Sequence, residues 1–354
     1  MKSSNCGSGI IPPANNYSGK NIIKCPVCAG NKAVLYKSYE ISIFQTDAPF
    51  HLAKCLACGI VFTNPHPGPD LLKTIYNNDG YYAYLPFYLS PESNRTGLVR
   101  KVTGWAKSTV LDHYYGYGKQ NDNFKPNKML WMAGRLLKKF VREDAVAMRR
   151  VTDFKKGGSH LDIGCGSGYY VWWMEKHGWQ SRGIDVNLSA VEAARQAGLN
   201  VVQRSLEETK FPDASFDLVT AWEVIEHLPG LIDQLKTIRR ILKPGGRLIG
   251  SVPNAESWEA GVFGKNWQPW EIPSHLYHFS PKSLKKILGL AGFELTRIEF
   301  TPILHSWDAS CNLLKKKSPA AAFALGPLGR PFYLAAAAAG RGARLRFEAA
   351  GNGK

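Results

Sequence analysis

The chain has 354 residues, with 45 Lys and Arg against 28 Asp and Glu, and therefore a formal net charge of +17. Its hydrophobic content of 44% is enough for a folded core and excludes an intrinsically disordered protein. No run of about 20 apolar residues is free of Gly, Pro and charge, and the polar N-terminus has no apolar signal segment, so we predict neither a membrane span nor a secretory signal.

Two tight cysteine pairs follow a polar start. We predict a disordered leader at 1–21 and a small module at 22–66, which contains KCPVCAG and KCLACGI. Four thiolates in two Cys-x-x-Cys knuckles favour a closed, structural zinc site over a redox dithiol or an iron–sulfur centre. The predicted ligands are Cys25, Cys28, Cys55 and Cys58. With the strand-like segments AVLYKSYEISIF, HLAK and IVFT, the module resembles a zinc ribbon, and this use of cysteine favours a reducing compartment.

The next region, residues 67–156, is rich in tyrosine and then basic. The tyrosines lie between Tyr76 and Tyr88, and 95–156 carry 15 Lys and Arg against 5 Asp and Glu. The clearest amphipathic helical pattern runs from Met129 to Met148. Residues 315–354 are again basic, with 8 Lys and Arg against one Glu. Basic flanks of this kind suit an anionic partner, either RNA or a membrane with acidic lipids, and they also serve solubility alone.

Residues 157–314 alternate strand and helix patterns. Strands are predicted at 160–164, 181–186, 200–205, 216–222, 246–252 and 293–301, and helices at 168–177, 189–197, 230–242 and 281–291. This alternation predicts an α/β fold with a mostly parallel sheet covered on both faces. The C-terminal extension, 315–354, holds an Ala/Gly/Pro-rich segment and a last, antiparallel strand at 343–348.

The sequence HLDIGCGSG places three alternating glycines, Gly164, Gly166 and Gly168, between a predicted strand and a helix. Glycine permits a left-handed backbone and close approach of a ligand, so this turn predicts a nucleotide cradle. Asp185 ends the next strand about 20 residues later, where a carboxylate can accept both ribose hydroxyls. The ribose position also suits NAD, but the glycine spacing differs from Gly-x-Gly-x-x-Gly.

Several further segments extend the pattern: GIDVNLSAVEAAR, SLEETKFPDASFDLVTAWEVIEHLPG, ILKPGGRLIGSVPN and WEIPSHLYHFSPKSLKKILGLAGFE. Together with LDIGCGSG they resemble the class I S-adenosylmethionine-dependent methyltransferases. The resemblance implies S-adenosylmethionine as cofactor and a Rossmann-like fold with a mostly parallel, seven-stranded sheet. It implies that the cofactor contacts Asp162, Gly164, Gly166, Gly168, Asp185, Val186, Leu206 and Glu207. In this scheme the glycines and Asp162 meet the methionine end, Asp185 meets the ribose, and the remaining three meet the adenine.

Candidate catalytic residues follow the fourth predicted strand, in the sequence WEVIEH, and occur again in PSHLYH. They are Glu223, Glu226, His227 and His275. If the methyl acceptor is a hydroxyl, one of them can serve as its base, with His227 as the first candidate. The stretch Glu-x-x-Glu-His also resembles the ubiquinone-pathway O-methyltransferases, in which such residues hold a divalent cation. Structural roles, as a cap or a backbone partner, remain open for each of them.

The combination of ribbon and methyltransferase resembles two groups of enzymes. Thr63-Asn64-Pro65, the tyrosine-rich YNNDGYYAY and PSHLYHFSPKSL are similar to bacterial methyltransferases acting on small molecules, glycans or lipid-linked acceptors, which implies O-methylation. The basic flanks keep an RNA methyltransferase open, with the ribbon as its RNA-binding module. A non-catalytic S-adenosylmethionine-binding adaptor is the third alternative. The expected location is cytoplasmic, with peripheral contact at the inner membrane face.

Overall fold

The computed structural model describes residues 24–30, 33–38, 50–76, 104–106, 108–121, 123–137, 152–153, 155–315 and 318–351. The predicted leader, most of the tyrosine-rich stretch, the second half of the amphipathic run and the pair Lys316 and Lys317 lie outside these residues. Within the described part, no helix combines the length and apolar character needed to cross a membrane.

The strands form two sheets. They are β1 (Ala33–Ser38), β2 (His51–Cys55), β3 (Val61–Asn64), β4 (Ser159–Ile163), β5 (Gln180–Asp185), β6 (Val201–Gln203), β7 (Phe216–Trp222), β8 (Leu242–Pro253), β9 (Tyr277–His278), β10 (Phe293–Thr301) and β11 (Arg344–Gly351). The smaller sheet has the order β1-β2-β3-β9, and the larger has the order β10-β11-β8-β7-β4-β5-β6. The described helices are α1 (Pro69–Tyr76), α2 (Lys128–Leu137), α3 (Tyr169–Lys176), α4 (Leu188–Gln196), α5 (Leu231–Ile241), α6 (Trp258–Phe263), α7 (Pro281–Leu290), α8 (Leu304–Lys315) and α9 (Pro319–Ala336).

The larger sheet confirms the predicted fold. Strands β4, β5 and β6 pair in parallel, whereas β11 runs antiparallel to both β8 and β10. The strand predicted at 200–205 is shorter, three residues, because β6 is the edge strand and is paired on one side only. Two of the predicted helices begin at residues that cap them. Asn187 accepts a hydrogen bond from the Ala190 amide at the start of α4, and Ser280 forms a capping box ahead of Pro281 in α7.

In the smaller sheet, β1 lies within its predicted segment, and β2 and β3 overlap the segments HLAK and IVFT but end one residue later. A fourth strand, β9, was not predicted. It pairs antiparallel with β3, with Val61 opposite His278 and Phe62 opposite Tyr277. The ribbon is therefore continued by residues more than 200 positions further along the chain.

Packing divides the chain into two units. The first contains 1–78, 221–240 and 247–354, and the second contains 79–220 and 241–246. The division into five segments predicted from the sequence stays a prediction.

Each unit has its own buried cluster. In the first unit, side chains beside β2 and β3 pack with tryptophans of the 255–310 region and with the C-terminal helices; the cluster includes Phe50, Leu52, Val61, Trp267, Trp270, Trp307 and Tyr333. In the second, α3 and α4 pack on the glycine turn; the cluster is Cys165, Val171, Val191, Ala194, Leu199 and Val201. The Ala/Gly/Pro-rich segment forms α9, which packs on α8 with the rings of Trp307 and Tyr333 5.1 Å apart.

Candidate functional site

The glycine turn connects β4 to α3 in a left-handed path. Gly164, Gly166 and Gly168 have φ angles of 65°, 52° and 82°, which side chains with a Cβ rarely adopt. The amides of Gly164 and Cys165 both donate to the Ile184 carbonyl, at 2.8 and 3.1 Å, so the turn is fastened to β5. The glycines are thus required by the backbone path itself.

Asp185 connects this turn to the next helix. Its carboxylate accepts hydrogen bonds from the amides of Gly166, at 2.8 Å, and Asn187, at 2.9 Å. Burial raises the pKa of Asp185, and the Asn187 and Gly166 amides offset part of that shift because they stabilise the ionised form. Both carboxylate oxygens have a second lone pair, so the group can accept further hydrogen bonds.

Gly168 has a packing role as well. A Cβ at this position would lie 2.6 Å from Leu199 Cδ1 and 3.1 Å from the Ala194 Cβ. Gly183 is similarly constrained, since its Cβ would approach the Cys165 sulfur to 2.6 Å. These two glycines let the turn and helix pack closely against β5 and α4.

The other predicted cofactor residues differ in exposure. Asp162 is buried and accepts a hydrogen bond from Thr220. Leu206 is also buried, whereas Glu207, at the start of a short 3-10 helix, is exposed. Val186 directly follows Asp185 and is 41% exposed. An exposed apolar side chain can pack on an adenine, and a carboxylate next to it can accept hydrogen bonds from the ribose of the same adenosine. The residues present therefore fit S-adenosylmethionine.

A second cluster joins the end of β7 to the segment before β9. Glu226, His227 and His275 each offer an atom within 4.8 Å of the others. Glu226 is completely buried, and neither carboxylate oxygen has a hydrogen-bond partner among the described residues. Burial, and then the charge of Glu223, hold the pKa of Glu226 well above its usual range. A buried carboxyl group without partners calls for a proton, a cation or a ligand.

The backbone contacts of the two histidines determine their tautomers. His227 Nδ1 lies 3.0 Å from the Ser274 carbonyl, and His275 Nδ1 lies 2.8 Å from the Pro269 carbonyl. A carbonyl only accepts, so both rings carry the proton on Nδ1 and have a lone pair on Nε2. Burial lowers the pKa of His227 to about 3 and that of His275 to about 4, so both rings are neutral at pH 7.

Two glutamates beside this cluster have an unfavourable backbone conformation. Glu223 and Glu271 have φ angles of 54° and 38°, in the left-handed region. Glu223 accepts a hydrogen bond from Arg344 at 3.0 Å. Glu271 Oε2 lies 3.5 Å from His275 Nε2, a contact that is favourable only when a proton or a cation is shared there. Such strain collects where a structure must aim a side chain at a ligand.

Three residues around this cluster were not predicted from the sequence: Tyr76, Glu271 and Arg344. The Tyr76 hydroxyl lies 3.0 Å from His227 Nδ1 and 3.1 Å from the Ser274 carbonyl. Tyr76 begins the tyrosine-rich stretch, and Glu271 stands four residues before His275 in the segment WEIPSHLYHFSPKSLKKILGLAGFE. No local signal marked Arg344, because it reaches Glu223 across β8 and β11 pairing.

The four cysteines of the ribbon converge. The Cys25 and Cys58 sulfurs are 3.7 Å apart, and those of Cys28 and Cys55 are 3.6 Å apart. A tetrahedron of sulfurs around zinc, with Zn–S bonds of about 2.3 Å, has edges of about 3.8 Å. The amides of Val27 and Cys58 also point at sulfurs of the cluster, each at 3.5 Å. The pKa of Cys25 is lowered to about 5, chiefly because Cys58 donates a hydrogen bond to it. The donor set fits zinc.

Known proteins are similar to the chain over its second half. Residues 136–298 match the family model described as a methyltransferase domain. The chain is 31% identical over 157 residues to a ubiquinone biosynthesis O-methyltransferase of Idiomarina loihiensis; the match spans 40% of this chain and 64% of that protein. It is 28% identical over 204 residues to the Paramagnetospirillum magneticum protein of the same name, over 54% of this chain and 80% of that protein.

Among solved structures, an S-adenosylmethionine-dependent methyltransferase from Mesorhizobium loti matches with a TM-score of 0.41 and 18% identity, over 58% of this chain and 96% of that one. The family match covers the glycine turn, Asp185 and the Glu226–His227 stretch, and it contains strands β4 to β8 of the seven-stranded sheet. Residues 136–298 of this chain are therefore a methyltransferase domain, similar in sequence to S-adenosylmethionine-dependent O-methyltransferases.

Proposed function

We propose that the enzyme transfers the methyl group of S-adenosylmethionine to a hydroxyl oxygen of a small-molecule acceptor, free or carried on a glycan or lipid. The observation that carries this proposal is the cluster of Glu226, His227 and His275: two neutral imidazoles with a lone pair on Nε2, beside a carboxyl group that has no hydrogen-bond partner among the described residues. Hydroxyl acceptors need proton removal, and this cluster can accept a proton. The names of the relatives, as O-methyltransferases, support the same choice.

In this proposal the cofactor lies on the glycine turn. The cofactor supplies a methyl group on a positively charged sulfur, which is already a good leaving group. Gly164 and Gly166 let the backbone approach the amino-acid end, and Asp162 accepts from its ammonium group. Asp185 accepts from the ribose hydroxyls. Val186 packs on the adenine, with Leu206 and Glu207 at its edge. The protein's main contribution is then to align donor and acceptor.

His227 is the proposed base. Its Nδ1 proton is held by the Ser274 carbonyl, so Nε2 is the atom that takes the acceptor proton. Tyr76 restrains the ring through the same Nδ1 atom. His275 presents a second Nε2 next to Glu271 and can receive the proton in turn. The charges of Glu271 and Glu223 stabilise the resulting imidazolium, since both raise the pKa of His227.

A divalent cation is the second candidate occupant of this cluster. Two imidazole nitrogens and a carboxylate suit a hard or borderline metal. The cation would lower the pKa of the acceptor hydroxyl, and His227 would then be a ligand rather than the base. Dialysis against EDTA, followed by an assay with and without Mg²⁺ or Mn²⁺, separates the two arrangements. Activity that survives chelation supports the base, and activity restored by one metal supports the cation.

Transfer of label from S-[methyl-³H]adenosylmethionine tests the function. The acceptors supplied to the purified enzyme are catechols and other phenols, sugars, lipid extracts and total RNA. We expect label in one of the hydroxyl acceptors. Label in RNA alone would overturn the proposal in favour of an RNA methyltransferase. Binding of S-adenosylhomocysteine without any transfer would support the non-catalytic adaptor.

The zinc proposed at the ribbon is structural, since a filled four-cysteine shell leaves no open position for catalysis. We expect the variant Cys55→Ser to lose the metal and to unfold the N-terminal module, because zinc binding contributes directly to the folding of small zinc modules. Elemental analysis of purified protein should fall from about one zinc per chain to near zero.

The matched control is Cys311→Ser, which changes a buried cysteine far from the ribbon in sequence. It should keep its zinc. Binding of S-adenosylhomocysteine should be retained in Cys55→Ser, because the cofactor residues belong to the other unit. Unchanged zinc content in Cys55→Ser would refute the ligand set.

The basic tail is a candidate membrane contact. Lys315 begins a run of three lysines, and two phenylalanines of α9, Phe323 and Phe332, are 80% and 66% exposed. Each basic residue near an anionic surface contributes about 1 kcal/mol. We expect the protein to co-sediment with phosphatidylserine vesicles, less so as salt rises, and no longer when residues 315–317 are changed to Gln.

A triple Gln variant of exposed lysines elsewhere, Lys236, Lys282 and Lys285, is the control and should still bind the vesicles. If the wild-type protein fails to bind at low salt, the tail has no membrane role.

A further inference from the structure

A chain of buried polar side chains leads across neighbouring strands to Asp162. Ser181 of β5, His160 of β4 and Thr220 of β7 are at most 4% exposed. Ser181 Oγ lies 2.7 Å from His160 Nδ1, and His160 Nε2 lies 2.8 Å from Thr220 Oγ1. The Thr220 hydroxyl then donates to Asp162 Oδ1 at 2.6 Å. Ser181, His160 and Thr220 are not among the predicted cofactor contacts.

Each proton in this chain can be assigned. A carboxylate only accepts, so the single hydroxyl proton of Thr220 is directed at Asp162. The Thr220 oxygen must therefore accept from His160 Nε2–H. Burial lowers the pKa of His160 to about 3, so its ring is neutral and Nδ1 has the lone pair. Ser181 accordingly donates to Nδ1, and all three hydrogen bonds point toward Asp162.

Packing alone does not explain these residue types. The interior positions of a parallel sheet are usually Val, Ile or Leu, and burying a hydroxyl or an imidazole costs free energy unless it is hydrogen-bonded. The ring of His160 is also held in place by the edges of Tyr170 and Trp179, with centroids at 5.6 and 6.4 Å. The polar groups of Ser181, His160 and Thr220 are thus hydrogen-bonded to one another, and their hydrogen bonds end at one oxygen of Asp162.

We propose that Ser181, His160 and Thr220 form a relay of positioning residues that fixes Asp162 as the acceptor for the ammonium group of the cofactor. The relay rests on the proposed cofactor site. The hydrogen bond from Thr220 to Oδ1 fixes the orientation of the Asp162 carboxylate. The relay acts on affinity for the amino-acid end of the cofactor and leaves the adenosine contacts unchanged.

Two ligands separate the relay from general damage: S-adenosylhomocysteine, which has the amino-acid end, and 5′-methylthioadenosine, which lacks it. In calorimetric titrations of the full chain, Thr220→Val should weaken S-adenosylhomocysteine about tenfold, the size of one lost charge-assisted hydrogen bond, and leave methylthioadenosine unchanged. His160→Leu should have a similar effect. Thr220→Ser, which keeps the hydroxyl, and His160→Gln, which keeps one donor and one acceptor, should retain most of the affinity.

The double variant His160→Leu/Thr220→Val should be no weaker than Thr220→Val alone, because both remove the same relay. Equal weakening of both ligands, additive effects of the two changes, or unchanged affinity in Thr220→Val would each overturn the relay. If Thr220→Val does not fold, the conservative variant His160→Gln provides the test. The relay is then overturned if His160→Gln binds S-adenosylhomocysteine no more tightly than 5′-methylthioadenosine. Wild-type protein that binds neither ligand would overturn the cofactor site itself, which is a distinct result.

Discussion

Replacing His227 with asparagine will lower the rate of methyl transfer by about 10² to 10⁴, the usual contribution of a positioned base. Asparagine keeps a side-chain N–H where His227 Nδ1 donates to the Ser274 carbonyl, so the local backbone contact survives. It has no atom at the Nε2 position, and the acceptor proton loses its destination. Single-turnover rates with S-adenosylmethionine and the acceptor found in the labelling experiment measure the loss.

Affinity for S-adenosylhomocysteine is the control for this variant. It should match that of the wild-type protein, because the cofactor residues do not include His227. A variant that binds the cofactor product normally and still transfers methyl groups at the wild-type rate would show that His227 is not the base. If EDTA abolishes activity of the wild-type protein and His227→Asn loses a bound divalent metal, the cation arrangement replaces the base.

Asp185→Asn will weaken S-adenosylhomocysteine about a hundredfold or more. In the proposed cofactor site, the carboxylate takes two charge-assisted hydrogen bonds from the ribose, each worth roughly 1.5–3 kcal/mol. The carboxylate accepts from the backbone amides of Gly166 and Asn187 at 2.8 and 2.9 Å, one on each oxygen. In asparagine one of these oxygens becomes an NH₂ group, so one backbone amide faces a donor. Isothermal titration gives the affinity, and thermal unfolding reports how much of the loss is structural.

Asp213→Asn is the matched control, since Asp213 is an exposed carboxylate in the same unit. It should leave affinity unchanged. Affinity in Asp185→Asn within twofold of wild type would refute the assignment of Asp185 to the ribose. The same titration with 5′-methylthioadenosine should show the full loss, in contrast to the Thr220→Val variant, because ribose is present in both ligands.

Most elements of the methyltransferase domain were predictable because their signals are local. The strand predicted at 216–222 is found there, and the one at 293–301 likewise, since each is bounded by turn residues and carries apolar side chains at strand spacing. No helix or strand was predicted from the sequence between β8 and α7. It contains α6, short 3-10 helices and the two-residue β9, whose formation depends on pairing with β3 rather than on its own pattern.

The sequence by itself determined the glycine path after β4, the carboxylate at the end of β5 and the convergence of Cys25, Cys28, Cys55 and Cys58. All three follow from short-range rules: a left-handed turn requires glycine, a strand end presents its last side chain, and paired knuckles bring sulfurs together.

Only the tertiary structure decided which residues surround Glu226 and what state they have. His275 lies beside that carboxyl group, and Tyr76 contacts the neighbouring His227 from a distant part of the chain. The pairing of β3 with β9 and the hydrogen bond from Thr63 to the His275 carbonyl at 2.6 Å bring these segments together. The same holds for the relay to Asp162, where neighbouring strands bring Ser181, His160 and Thr220 into line. Burial and hydrogen-bond direction, which set tautomer and charge, depend on neighbours in space, and a linear pattern does not contain them.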